Sequence, residues 1–231
     1  MRQLQVFALG DVGFSSNTIT KCEFAMIGII NTFAHKIPTW LIYLLSVLLI
    51  PYFFYSAQNG GMGVEPIKAL EREMGQITLQ LIIIGLSITP LRKYLGLNLL
   101  KFRRTFGLLA FTYVVVHLGI WVFLDMNLRW SQMWTDIWKR PFITIGMVAF
   151  LMIIPLAVTS NTLSIQKLGG SMWCNLHKLV YLIALLGIVH FIMVQKVWEV
   201  KPFLYLTVTA VLLAVRYNPS KKVAGASARG W

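Results

Sequence analysis

Charged residues are sparse along this chain, and the stretches between them are long and apolar, without a helical or strand-like period. Segments that are apolar all round face lipid on several sides. A bilayer core of about 30 Å takes roughly 20 such residues as a helix. The first candidate covers residues 37–64 and is densest over 39–57, with Pro51 expected to kink it. The second covers 74–91 and ends at Thr89 and Pro90, which read as a helix stop. The third covers 105–124, and the fourth covers 141–160 with Pro141 at a first-turn position. The fifth covers 173–195 and carries Lys178 near its start. The sixth is short, 200–217, bounded by Lys201 and Arg216, whose long side chains can snorkel. Spanning β-strands would alternate polar and apolar residues, and runs such as 79–86 and 204–215 do not. The pattern predicts an all-α integral membrane protein, a six-transmembrane-helix bundle over 37–217.

Composition supports this reading. Hydrophobic residues make up 57% of the 231, charged residues 13%, and mean hydropathy is +0.70. A soluble domain carries about 25% charged residues. The net charge of +13 does not argue for nucleic acid, because basic residues in a membrane protein concentrate on cytoplasmic loops. With the N-terminus inside, 13 Lys and Arg fall on inner segments and 7 on outer loops, with Lys178 uncounted at an edge. Six of the eight acidic residues fall outside, so the expected topology is N-in, C-in. Residues 1–36 form an N-terminal extension whose apolar run, 22–34, is too short to span. It reads as an interfacial helix, or as sequence upstream of the true start. Residues 218–231 read as a polar, disordered cytoplasmic tail. Cys22 and Cys174 have no zinc or redox spacing. Trp121, Trp130, Trp134 and Trp138, near the third outer loop, read as an interfacial aromatic belt.

The chemistry rests on histidine. His35 lies just before the first span, where it needs no special account. His117 falls in the third predicted helix, and His177 and His190 fall in the fifth. The predicted spans contain no Asp or Glu, whereas a proton pump or ion-coupled transporter normally brings carboxylates into the membrane. A neutral histidine bonded to a neighbouring backbone carbonyl is the bland account of each ring. Imidazole alone in an apolar bundle suits a haem iron, which takes axial histidine from facing helices. At 1.5 Å per residue, His117 lies ~18 Å from the inner edge, His177 ~6 Å and His190 ~26 Å. His117 is thus nearer in depth to His190. His177 and His190 are about 140° apart around an ideal helix, so they serve different faces. A small transporter with histidines along its path, or a membrane anchor with structural histidines, are the competing classes.

Several landmarks add a resemblance. The stretch from Arg103, Arg104 and Gly107 through Tyr113 to His117 resembles the third helix of the ferric-reductase-like transmembrane family. The stretch from Trp173 and His177 through Tyr181 to His190 resembles its fifth. Residues 86–90, the stretch from Lys139, Arg140 and Pro141 to Gly146, residues 155–160, and Leu168 with Gly169 are similar to one branch of that family. That branch comprises the haem-binding membrane subunits of bacterial periplasmic protein-methionine-sulfoxide reductase systems. The resemblance implies haem b, one or two, held by His117, His190 and His177, and also FMN. It implies the bacterial inner membrane and a periplasmic molybdenum-cofactor methionine sulfoxide reductase as electron acceptor. NADPH oxidases of the wider family place two histidines on each of these helices. Here Arg103 stands fourteen residues before His117, where the inner histidine would be, so His117 with His190 is the expected outer pair. The inner region at His177 then takes a second haem with another ligand, or flavin. Arg103 and Arg104 would pair with haem propionates or flavin phosphate, since arginine binds such anions bidentately. Without them, the basic loop over 92–104 simply sets topology. After residue 217 no GxGxxG fingerprint follows, so the expected donor is a separate cytoplasmic flavin reductase or membrane quinol. No molybdenum site is expected, so the chain alone is not expected to reduce methionine sulfoxide.

Overall fold

A computed structural model describes residues 16–195 and 199–217. Residues 1–15 of the N-terminal extension, the tail from Asn218 and Lys196 lie outside the described residues. The described residues form only helices and the turns between them. In chain order these are α1 (Ser16–Lys36), α2 (Thr39–Gln58), α3 (Pro66–Leu95), α4 (Phe102–Gly119), α5 (Trp130–Lys139), α6 (Pro141–Val158), α7 (Thr162–Leu168), α8 (Gly170–His177), α9 (Leu179–Val194) and α10 (Val200–Tyr217). A π-turn, Ile120–Asp125, carries α4 onward. Among the described residues, five helical stretches are long and apolar enough to cross a membrane: α2, α3, α4 with its π-turn, α6, and α8 run into α9. Residues 200–217, the sixth expected segment, form the 18-residue helix α10.

Both boundaries expected for the second span move. The helix read as ending at Pro90 continues to Leu95 and closes on Gly96 in the left-handed conformation. Proline lacks an N–H, so Pro90 leaves the carbonyl of Leu86 without its helical donor. Arg216 of α10 supplies one: its Nη2 donates to Leu86 O while Nη1 donates to Tyr181 Oη. A neighbouring helix thus repairs the ladder, which is how proline persists inside membrane helices. The same helix starts earlier than expected, at Pro66, and so carries Glu71 and Glu73 in its opening turns. Thirty residues make a helix of about 45 Å, longer than the hydrocarbon core, so these carboxylates belong to a long helix and not to a connecting loop.

Two helix pairs make the body: α3 packs along α4, and α6 along α9. The pairs meet through α4 with α6 and α3 with α9, around a core that includes Leu86, Ala110, Ile153, Leu156 and Ala184. Lipid is as apolar as leucine, so close approach depends on small residues, and Ala110 and Ala184 are fully buried at this seam. Tyr113, also fully buried, ties α4 to α2 through its hydroxyl on Ser46 O. No residue of α2 is fully buried, and Ile50, Phe53 and Phe54 pack only partly against Tyr113 and its neighbours.

α1 lies against the turn after α3. Asn31 donates to Gly96 O and accepts from Asn98 N, and Lys101 Nζ donates to the carbonyls of His35 and Ile37 at the helix end. Its other face exposes Met26, Ile29, Ile30 and Phe33 at helical spacing. On α5, Trp130, Trp134 and Trp138 share an exposed face, while Met133 and Asp136 are buried behind it.

Candidate functional site

Each helix pair contributes one histidine that faces the other pair. His117 stands on α4 and His190 on α9, with ring centroids 6.3 Å apart and ring planes at 87°. Each ring is partly buried and tied to the partner helix of its own pair. His117 Nδ1 lies 2.8 Å from Glu71 O on α3, and His190 Nδ1 lies 2.7 Å from Phe142 O on α6. A carbonyl only accepts, so each Nδ1 carries the proton of its neutral ring. Both lone pairs are therefore on Nε2. This is how ligating histidines are prepared: one ring nitrogen donates to a fixed acceptor, which sets the tautomer and orientation of the other.

The spacing suits one metal ion between the rings. Metal–imidazole bonds run at about 2.0–2.1 Å, which puts two rings on opposite sides of one ion with centroids roughly 6 Å apart. Among the described residues no group of three or more His, Cys, Asp and Glu side chains could hold a metal ion. The pair could supply two imidazole ligands, and the rest of the coordination would come with the group itself, as it does in haem. The donor set fits haem iron.

His177 is in a different setting. It ends α8 and lines a cavity of about 290 Å³ between α3, α4, α6 and α8, together with Arg103, Arg104, Ser160, Asn161 and Trp173. Trp173 stacks on its ring at 3.9 Å and donates from Nε1 to Thr159 O. The Thr159 hydroxyl is 2.6 Å from Pro155 O and donates there. Its oxygen, 3.1 Å from His177 Nε2, must then accept, so His177 carries its proton on Nε2 and its lone pair on Nδ1. That is the opposite tautomer from His117 and His190.

The structure thus brings His117 and His190 together, groups His177 with Arg103 and Arg104, and keeps the two sets apart. Sequence reasoning missed Glu71 and Phe142, which act through backbone carbonyls and carry no side-chain signal. It also missed Thr159, which reads as an ordinary residue at a helix end, and Gly75, one small residue in a long apolar helix.

Residues 73–188 match the family described as ferric reductase like transmembrane component. The chain is 41% identical over 177 residues to the protein-methionine-sulfoxide reductase heme-binding subunit MsrQ of Brucella anthropi, covering 77% of this chain and 80% of that protein. It is 42% identical, with the same coverage, to the MsrQ proteins of Brucella ovis and Brucella melitensis.

Proposed function

The chain belongs to the ferric-reductase-like transmembrane family and to its MsrQ branch, and on that premise we propose that it is a haem b-binding electron-transfer subunit of a protein-methionine-sulfoxide reductase system. The observation that carries the reading is the pair His117 and His190, with ring centroids 6.3 Å apart and both Nδ1 protons committed to helix carbonyls. Bound between them, haem would supply reversible one-electron chemistry. The chain's own work is positional. α4 and α9 present the two Nε2 lone pairs, the Glu71 and Phe142 carbonyls hold the tautomer, and the packed helices exclude water.

The inner cavity would receive electrons. Its arginines suit propionates or a flavin phosphate, and His177 offers one Nδ1 lone pair. A second haem there would need a further ligand; FMN would need none. The donor is a cytoplasmic flavin reductase or membrane quinol, and the acceptor a periplasmic molybdenum-cofactor reductase. Reducing methionine sulfoxide to the thioether and water consumes two electrons and two protons. The reading includes six spans with both termini inside, in the bacterial inner membrane, and an interfacial α1 whose Met26–Ile30–Phe33 face meets lipid.

The test is an absorption spectrum of detergent-purified protein, oxidised and then dithionite-reduced, with haem and flavin quantified by extraction. Sharp reduced b-type bands are expected, and the haem-to-protein ratio distinguishes one haem from two. A colourless protein after expression with ample haem would overturn the reading and favour a transporter or anchor.

A further inference from the structure

Two glycines stand where a side chain would press on His117 and His190, with a clash at Gly146 and a tight contact at Gly75. A Cβ on Gly75 would lie 3.2 Å from Cε1 and 3.3 Å from Nδ1 of His117. A Cβ on Gly146 would lie 2.9 Å from both Cε1 and Nδ1 of His190. The register is the same on both helices. Gly75 is four residues after Glu71 and Gly146 four after Phe142, and those are the residues whose carbonyls take the Nδ1 protons.

The physical reason lies in helix geometry. Each Cα–Cβ bond tilts toward the helix N-terminus, so the side chain at i+4 covers the carbonyl of residue i. Glycine leaves that carbonyl bare. The oxygen has two lone pairs, so it can keep its i+4 N–H bond and still accept from a ring on the next helix. We propose that Glu71 with Gly75, and Phe142 with Gly146, are two equivalent seats, one per helix pair. In each, glycine exposes a helical carbonyl so that an imidazole lies flush on the backbone. Gly75 and Gly146 are then positioning residues that aim Nε2 of His117 and His190. The proposal rests on reading these histidines as haem ligands.

The close approach is specific to these positions. Among the described glycines elsewhere in the spanning helices, Gly187 meets only Leu79 at 3.6 Å, Gly85 and Gly119 meet side chains at 4.0 Å, and Gly107 meets nothing within 4 Å. The contact at Gly146 is tighter than at Gly75, and a ring that moves away from either Cβ lengthens its own carbonyl bond. The expected order of effect is Gly146→Ala, then Gly75→Ala, with Gly187→Ala at wild-type values.

The test compares these variants with wild type as purified holoprotein. Readouts are ferric low-spin electron paramagnetic resonance, midpoint potential and haem per protein. Gly146→Ala is expected to shift the low-spin g values and the potential and to lose haem, and Gly75→Ala to do so less. Wild-type signal, potential and occupancy in both would overturn the proposal. If Gly146→Ala does not yield folded protein, Gly75→Ala alone decides. Nitrogen-15 histidine shifts give a haem-independent readout, with His117→Ala and His190→Ala as assignments. They should report Nδ1–H in both wild-type rings and loss of the His190 pattern in Gly146→Ala. A colourless wild type with that tautomer pattern would defeat the haem reading and leave the seats standing. Nε2–H rings in wild type would defeat the seats whatever the colour.

Discussion

The outer pair and the inner cavity use the same side chain in opposite ways. At the first, two imidazoles have their Nδ1 protons fixed on backbone, lie with centroids 6.3 Å apart, and keep both Nε2 lone pairs. At the inner site, one imidazole spends Nε2 on Thr159, stacks on Trp173, and shares a 290 Å³ cavity with two arginines. A histidine's role therefore cannot be read from its presence in a span. It follows from which ring nitrogen the neighbouring helix occupies, because that decides where the lone pair points.

The comparison breaks most sharply at the outer ligands. His117→Ala and His190→Ala are each expected to abolish the main low-spin haem signal, since either change leaves one axial ligand. Full retention in both would sink the assignment. At the inner site, His177→Ala should leave that signal in place. It should reduce total haem, or extractable flavin, according to which group the cavity takes. Loss of the outer signal in His177→Ala would show that the two sites are not separate.

Smaller effects test the frame around the cavity. Arg216→Leu leaves the Leu86 carbonyl, freed by Pro90, without a donor inside the bundle. A cost of about 1–3 kcal/mol is expected, read as a lower Tm in detergent. Adding Pro90→Ala restores an N–H four residues on, so the double variant should be more stable than the sum of the single changes predicts. Simple additivity would show that Arg216 acts elsewhere. Thr159→Val should have the smallest effect. It keeps the shape, removes the acceptor of His177 Nε2–H, and should shift the nitrogen-15 signal of His177 alone.

Much of the fold was legible because lipid leaves few options. A backbone with no water around it must satisfy its own polar groups, so long uncharged blocks become helices whatever their exact residues. The histidines stood out for a related reason: a polar ring in such a block is costly and rare. The helix stop at Pro90 was misread because its repair comes from Arg216, 126 positions later in the sequence. Glu71 and Glu73 were expected on a connecting loop because α3 runs past the apolar block that announced it, a block that itself holds no carboxylate.

By itself, then, the sequence determined that the chain is a bundle of membrane-length helices, that three histidines fall within its predicted spans, and which family it resembles. Only the tertiary structure decided which histidines meet, which nitrogen each offers, and that Gly75 and Gly146 lie against the rings. Helix periodicity and composition are local properties of the chain. A ring's tautomer and the space beside it are set by atoms on another helix, 42 to 48 residues away for these contacts, and no local pattern records them.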